Sequence, residues 1–503
     1  GNYGQMFHPG AAAFHEELHR TFGGIFRITG ILGASHFLLR DHRKFSPAMA
    51  TILVKEQDVF EESTWLLETS RLAFGPGLLA TTGAHHRKQR RLLNPVFSTK
   101  HIRSMIPLFH KITRQLRDVL QAKVATGPQE IDVMDWFSRL ALELISQGGF
   151  GYTFDSLNPE GTENAFGTAI KAYIPNLSSL QGFRSALPLV SRWPSRIRRF
   201  GAKFLPLPAL TRIIQVSDVM HENTKKVFDE KKALLANGDD EFVNQVGEKK
   251  DIISSLMRAN LEAAQADQLA DEEILGQMTT FAFAATDTTS TALSRVLYLL
   301  AQHPDVQNKL REELSEAYVA AMDSELGYDE LENLPLLDAI CRETLRLHPP
   351  LNFAARVCRK DTSISLSRPV QTTEGIVSSV FIPAETTVFI GISNVNRDPD
   401  IWGADASEWK PERWLSPLPQ SVAEAHIPGI YSNTMTFLGG GRSCIGFKFS
   451  QLEMKVVLAQ LVRCFRFSPS QAEVVWRFGS ITTPSVKGSN KVVSQMPIVL
   501  ERV

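Results

Sequence analysis

Apolar residues recur at steps of three and four along most of this chain, a spacing that predicts helices. After Gly446 the series Phe449, Leu452, Val456 and Ala459 marks one such helix. Residues 97–235 read mostly as helical segments, interrupted by the Pro-rich stretch ALPLVSRWPSRIRRFGAKFLPLPAL. A longer helix is predicted over 271–303, closed by Pro304; at 1.5 Å per residue it spans about 50 Å. A further helix, LPLLDAICRETLRLH, stops at Pro349-Pro350. Alternating runs are few. FRITGILGASHFLLRD, broken by Gly30 and Gly33, reads as a hairpin, while SISLSRPV and IVSSVFIPAETTVFIGIS read as strands. LLANGDDEFVNQVGEKKD reads as a polar surface loop. The pattern predicts a fold that is mainly α with a minor β-sheet region, built as one domain over 1–503.

Composition narrows this only a little. The chain is 43% hydrophobic, enough for a large core, and its 54 Lys and Arg balance 54 Asp and Glu. Net charge therefore gives no argument for a nucleic-acid partner. Cys341, Cys358, Cys444 and Cys464 are too few and too scattered for a disulfide framework or a zinc knuckle. The most apolar stretch, ILGQMTTFAFAATDTTSTALSRVLYLL, is interrupted by Asp287, Arg295 and several threonines, so it reads as a buried helix and not a membrane span.

Candidate chemistry centres on FLGGGRSCIG, residues 437–446. Three glycines let a backbone press against a flat ligand. They deliver Cys444 to the start of a helix, where free N–H groups and the helix dipole bias a thiol toward thiolate. Three other patterns read less specifically. FAFAATDTTS could be an ordinary buried helix with threonines bonded to the preceding turn. Glu343 and Arg346 lie three apart, but so do Glu17/Arg20 and Glu68/Arg71, and such pairs are usually solvated. HHRKQRRLLNPVF could be a basic solvated face, above all at Arg87, Lys88 and Arg91.

Taken together, the motifs resemble the cytochrome P-450 family over nearly the whole chain, most closely its fungal, membrane-associated, reductase-dependent members. Phe437, Gly440, Arg442, Cys444 and Gly446 match the haem-thiolate signature, and a chance match at five fixed positions is on the order of 10⁻⁴. The resemblance implies the family fold, with haem b (Fe-protoporphyrin IX) between the long central helix and the cysteine-loop helix. Cys444 would be the iron's axial thiolate, which favours O–O cleavage, with Phe437 against the haem and Arg442 on a propionate. His86, Arg90 and Arg356 would supply further propionate contacts, His86 standing where the family usually has tryptophan. Asp287 and Thr288 match the acid–threonine pair that relays protons to O2, with Ala285 in place of the usual glycine. Glu343, Arg346 and Arg413 would form a buried ion network of structural role. Phe283, Ala284, Leu351, Phe353, Ala354 and Ile481 would line the substrate pocket, helped by WLLETSRLAFGPGLLA.

The resemblance further implies a monooxygenase that inserts one atom of O2 into a small hydrophobic substrate. Electrons would come from NADPH through a separate NADPH–cytochrome P-450 reductase, with cytochrome b5 as an optional second donor, because the chain carries no nucleotide fingerprint of its own. Arg87, Lys88 and Arg91 could dock such an acidic donor. A peroxide-using or rearranging haem-thiolate enzyme and a non-catalytic haem sensor are the alternatives; neither needs the Asp287–Thr288 pair. The family's anchor helix and Pro-rich hinge are not found in the sequence, so the expectation is a trimmed monomer, soluble as given, whose full-length form sits on the cytosolic face of the endoplasmic reticulum.

Overall fold

The computed structural model describes all residues except 1–2, 7, 9, 23–24, 30–34, 40–46, 159–163, 181–182, 184–186, 237–250, 373–374 and 490–492. The turn of the N-terminal hairpin and nearly all of the polar loop at 234–251 lie outside the described residues. The chain divides into two compact units, one of residues 1–63, 335–447 and 475–484, the other of 64–334, 448–474 and 485–503.

The first unit holds most of the sheet. Ile25–Thr29 and Ser35–Leu39 pair antiparallel, and the second continues parallel to Thr387–Gly391. Phe353–Cys358 and then Phe60–Glu62 complete five strands. The stretch IVSSVFIPAETTVFIGIS divides at Pro383, so Gly375–Ile382 pairs back on Thr362–Thr372 while Thr387–Gly391 joins the larger sheet. Ile52, Val388, Ile390, Val395, Trp402 and Met435 belong to the dry core under this sheet. Each fully buried aliphatic or aromatic side chain of this kind contributes ~1.5–3 kcal/mol.

The second unit is helical. Its axis is Asp271–Gln302, 32 residues, which starts with three acids in its first turn and gives way to a new helix at Pro304. The helix Val133–Phe150 packs along it, both being apolar on nearly all sides. The loop at Gly75–Gly77 lies so close that a β-carbon on Gly77 would fall 2.6 Å from the Gly276 oxygen. A three-stranded sheet orders Gln129–Asp132, Pro497–Arg502 and Phe465–Pro469. The Pro-rich interruption forms two short helices, Leu187–Val190 and Ser195–Ala202, the latter capped by Pro194. Among the described residues no helix is long and apolar enough to cross a membrane.

Candidate active site

The cysteine loop of the first unit is shaped by contacts that only glycine permits. A β-carbon on Gly439 would lie 1.8 Å from the Pro428 oxygen, and one on Gly440, at φ +69°, 1.9 Å from the Leu53 oxygen. Leu53 belongs to a π-helical turn, Thr51–Lys55, whose carbonyl therefore fixes the loop's depth. Leu438 is held left-handed at φ +56°, a costly conformation for a branched side chain. The bend lets the Cys444 N–H donate to the Phe437 oxygen at 2.9 Å and leaves the Cys444 side chain exposed. Phe437 meets Tyr431 edge-on at 5.4 Å.

The same unit holds a buried ion cluster. Arg346 donates from Nε and Nη2 to the two Glu343 oxygens, each at 2.8 Å, and both side chains are fully buried. Its Nη1 also serves the Asn396 and Ala406 carbonyls at 2.6 and 2.7 Å. Arg413 Nε stands 3.4 Å from Glu343, while its Nη1 reaches the Trp402 carbonyl and Asp405. Trp414 Nε1 donates to Glu343 at 3.0 Å. Asn396 carries this order onward: its Oδ1 accepts from Met435 N–H at 2.7 Å and its Nδ2 donates to Thr436, leading into Phe437. Asn396 and Asp405 carry no signal in the sequence that sets them apart.

Arg356 lies in the sheet directly opposite Glu62. Its Nη1 donates to Glu62 at 2.9 Å, but its buried Nη2 has no partner. A guanidinium with one edge engaged and one free suits a second carboxylate, so the residue fits a haem propionate. Leu351 and Ala354 pack against the main core cluster, and Phe353 against Phe389 and Phe478. Asn352 bonds Thr482, which holds buried Ile481 near residues 350–352.

In the second unit the long helix is buried from Ile274 to Ala301 except at Tyr298 and in a window at 283–285 and 288. The helix runs through Ala285 without a break. Thr288 donates to the Ala284 carbonyl at 2.8 Å, so its oxygen is left free to accept. Asp287 is buried, which pushes its carboxyl up to about 7, against the lowering pull of Lys171. Lys171 is itself held by Asp135 at 2.6 Å, beside Arg139, and with Ser138, Asn164 and Thr286 it lines a small cavity. Phe283 stacks on Phe74 at 4.7 Å and Ala284 is exposed.

His86 is buried and Arg90 half-buried, with Nε on Asn94 at 2.9 Å. Their helix, Gly83–Leu93, is tied to the long helix by Gln89 and His85, both on Glu273. Arg87 and Arg91 are exposed and Lys88 half-buried.

Burial of Asp287 predicts a pH dependence. Because its folded pKa lies above its unfolded value, its contribution to stability is fully present below about 4 and is lost as pH rises toward about 7, at ~1.4 kcal/mol per pH unit. Asp287→Asn should flatten urea-unfolding midpoints across that window. Lys171→Met removes the lowering charge, and the carboxyl stretch in infrared titration should then move to a midpoint above that of the parent protein.

The first unit thus carries a thiol-bearing glycine loop and a buried ion cluster, and the second an acid–threonine pair on a buried helix. The Cytochrome P450 family model matches residues 1–489, which takes in both units. The chain is 46% identical over its whole length to cytochrome P450 monooxygenase 91 of Postia placenta, covering 92% of that protein. It is 40% identical to a ganoderic acid synthetase of Ganoderma lucidum, over 97% of this chain and 89% of that one. A crystal structure of a cytochrome P450 superposes at TM-score 0.70 with 22% identity, over 97% of this chain and 93% of that one, a likeness of fold. The chain belongs to the cytochrome P450 family. It is an oxidoreductase of the monooxygenase class, and membership implies a haem held by a cysteine thiolate.

Proposed function

We propose that residues 1–503 act as one domain that inserts an oxygen atom from O2 into a small hydrophobic substrate, with NADPH electrons delivered by a separate reductase. The observation that carries this is the exposed Cys444 side chain at the end of a loop whose glycines cannot be replaced without collision. Haem b, when bound, supplies the O2-activating iron. Cys444 donates electron density as its thiolate, and Phe437 covers the sulfur side. Arg356 Nη2 takes one propionate, with Arg442 and Arg90 as the other cations and His86 as a ring N–H donor. Asp287, which exchanges its proton near neutral pH, passes it to the Thr288 oxygen.

Purified protein, reduced under carbon monoxide, should show the red-shifted Soret band of thiolate ligation; a band at the position of a neutral ligand would remove the assignment. Thr288→Ala should lower the oxygenation rate by roughly 10²-fold while NADPH oxidation continues and hydrogen peroxide accumulates. Unchanged coupling of NADPH to product would show that Thr288 carries no proton.

The protein works at the cytosolic face of the endoplasmic reticulum membrane. Support comes from the segment 187–205, where Leu189, Trp193, Phe200 and Phe204 are 57–72% exposed among Arg192 and Arg196. Large apolar side chains on a basic segment suit an anionic lipid surface. Arg87 and Arg91 offer an acidic reductase a docking face.

A further inference from the structure

The helix Pro304–Ala320 of the second unit ends in a Schellman turn. The Met322 N–H donates to the Val319 carbonyl at 3.0 Å and the Asp323 N–H to the Tyr318 carbonyl at 2.7 Å. That pairing puts Met322 just past the cap at φ +54°, a conformation that glycine adopts freely and methionine does not. The turn is secured by its neighbours. Arg463 lies over the Tyr318 ring at 4.3 Å and bonds Asp323 at 2.6 Å, while His110 Nε2 donates to the Leu326 carbonyl at 2.8 Å. Met322 itself is 93% exposed, so its side chain adds almost no packing. As a structural choice it is poor: glycine would relieve the backbone, and a polar side chain would suit the solvent.

The other ten of the 11 methionines are only 0–6% exposed. Met435 lies in the dry core of the first unit, and its N–H bonds Asn396. Met105 Sδ is packed near Gly148 with the Phe109 and Phe449 rings. Peroxide must reach a thioether sulfur to oxidise it, and oxidation of a buried methionine sets a polar oxygen inside a core. Of the eleven sulfurs, that of Met322 is open to attack, and its oxidation disturbs no packing.

We propose that Met322 is a reversible sulfoxidation site, the methionine of this chain that hydrogen peroxide attacks first. The sulfur gives an electron pair to one peroxide oxygen, the O–O bond breaks, and the second oxygen leaves as water with both protons. Sulfur is oxidised by two electrons and peroxide reduced by two. The product sets a polar sulfoxide beside Val319, which is 72% exposed, where two apolar side chains stood. Restoration takes two electrons and two protons from a dithiol, which becomes a disulfide as the sulfoxide oxygen leaves in water. The exposure that admits peroxide also admits the reductase. Uncoupled O2 reduction by a monooxygenase releases peroxide beside the protein, but the chemistry at Met322 does not depend on that source.

The test is peptide mass spectrometry of the purified holoenzyme titrated with hydrogen peroxide, with imidazole present to occupy the iron. Met322 should reach half conversion at a roughly 10-fold lower dose than any other methionine, since the buried ones wait for local opening. Dithiothreitol with the two stereospecific methionine sulfoxide reductases should then return it to methionine. A second methionine that converts at the same dose or earlier overturns the proposal, and so does a Met322 sulfoxide that both reductases leave in place. Met322→Gly should keep or raise the thermal midpoint. A lower midpoint would also overturn it, because the side chain would then have a packing role. The monooxygenase reading fails separately, through the carbon monoxide spectrum of the parent protein, whatever the peroxide titration shows.

Discussion

Cys444→Ser should abolish the red-shifted Soret band of the reduced carbon monoxide complex and reduce oxygenation to the background of haem free in solution. A serine hydroxyl stays protonated at neutral pH and cannot donate electron density as a thiolate does. The fold should survive. The Cys444 side chain is exposed, so no core packing is lost, and the bond from its N–H to the Phe437 carbonyl belongs to the backbone. Apoprotein stability should therefore shift by less than about 0.5 kcal/mol, the usual range for a surface substitution. Absorption spectra and product analysis of the variant, beside its urea-unfolding curve, separate a lost ligand from a lost fold. A variant that keeps both the band and the turnover would show that the iron is held elsewhere.

Much of this site is legible in the chain because it depends on local spacing. Glycines before Cys444, prolines around the helices, and the apolar period of 271–303 each act within a few residues. The long helix accordingly forms at Asp271–Gln302. What the chain conceals depends on contacts between distant segments. Nothing in TILVK marks a π-helical turn whose Leu53 carbonyl limits Gly440. Glu62 gains meaning only when strand register sets it opposite Arg356. Asn396 likewise becomes a link only because Arg346 and Met435 arrive on its two sides. Burial is the other hidden quantity: it separates Glu343/Arg346 from Glu68/Arg71, which share the same spacing.

That difference sets the second large effect. Arg346→Ala should destabilise the protein by about 3–5 kcal/mol, because it strips the partner from a fully buried carboxylate. It also leaves the Asn396 and Ala406 carbonyls without their donor, at about 1–3 kcal/mol for each group left unpaired. Native domains hold only 5–15 kcal/mol in total, so these losses bring the first unit close to unfolding. Arg346→Lys should recover little, since an ammonium cannot grip two carboxylate oxygens and two carbonyls in one plane. Glu68→Ala removes an acid of the same spacing from a pair whose arginine is half exposed, 3.2 Å away, and should cost under about 1 kcal/mol. The two variants, compared by urea unfolding and by the yield of haem-loaded protein, test whether the buried cluster holds the passage that ends in Phe437. Asn396 joins Arg346 to Met435 and Thr436, so Arg346→Ala should lower haem retention along with stability, and Glu68→Ala should lower neither. Equal losses in the two variants would mean that sequence spacing, and not burial, determines what such a pair contributes.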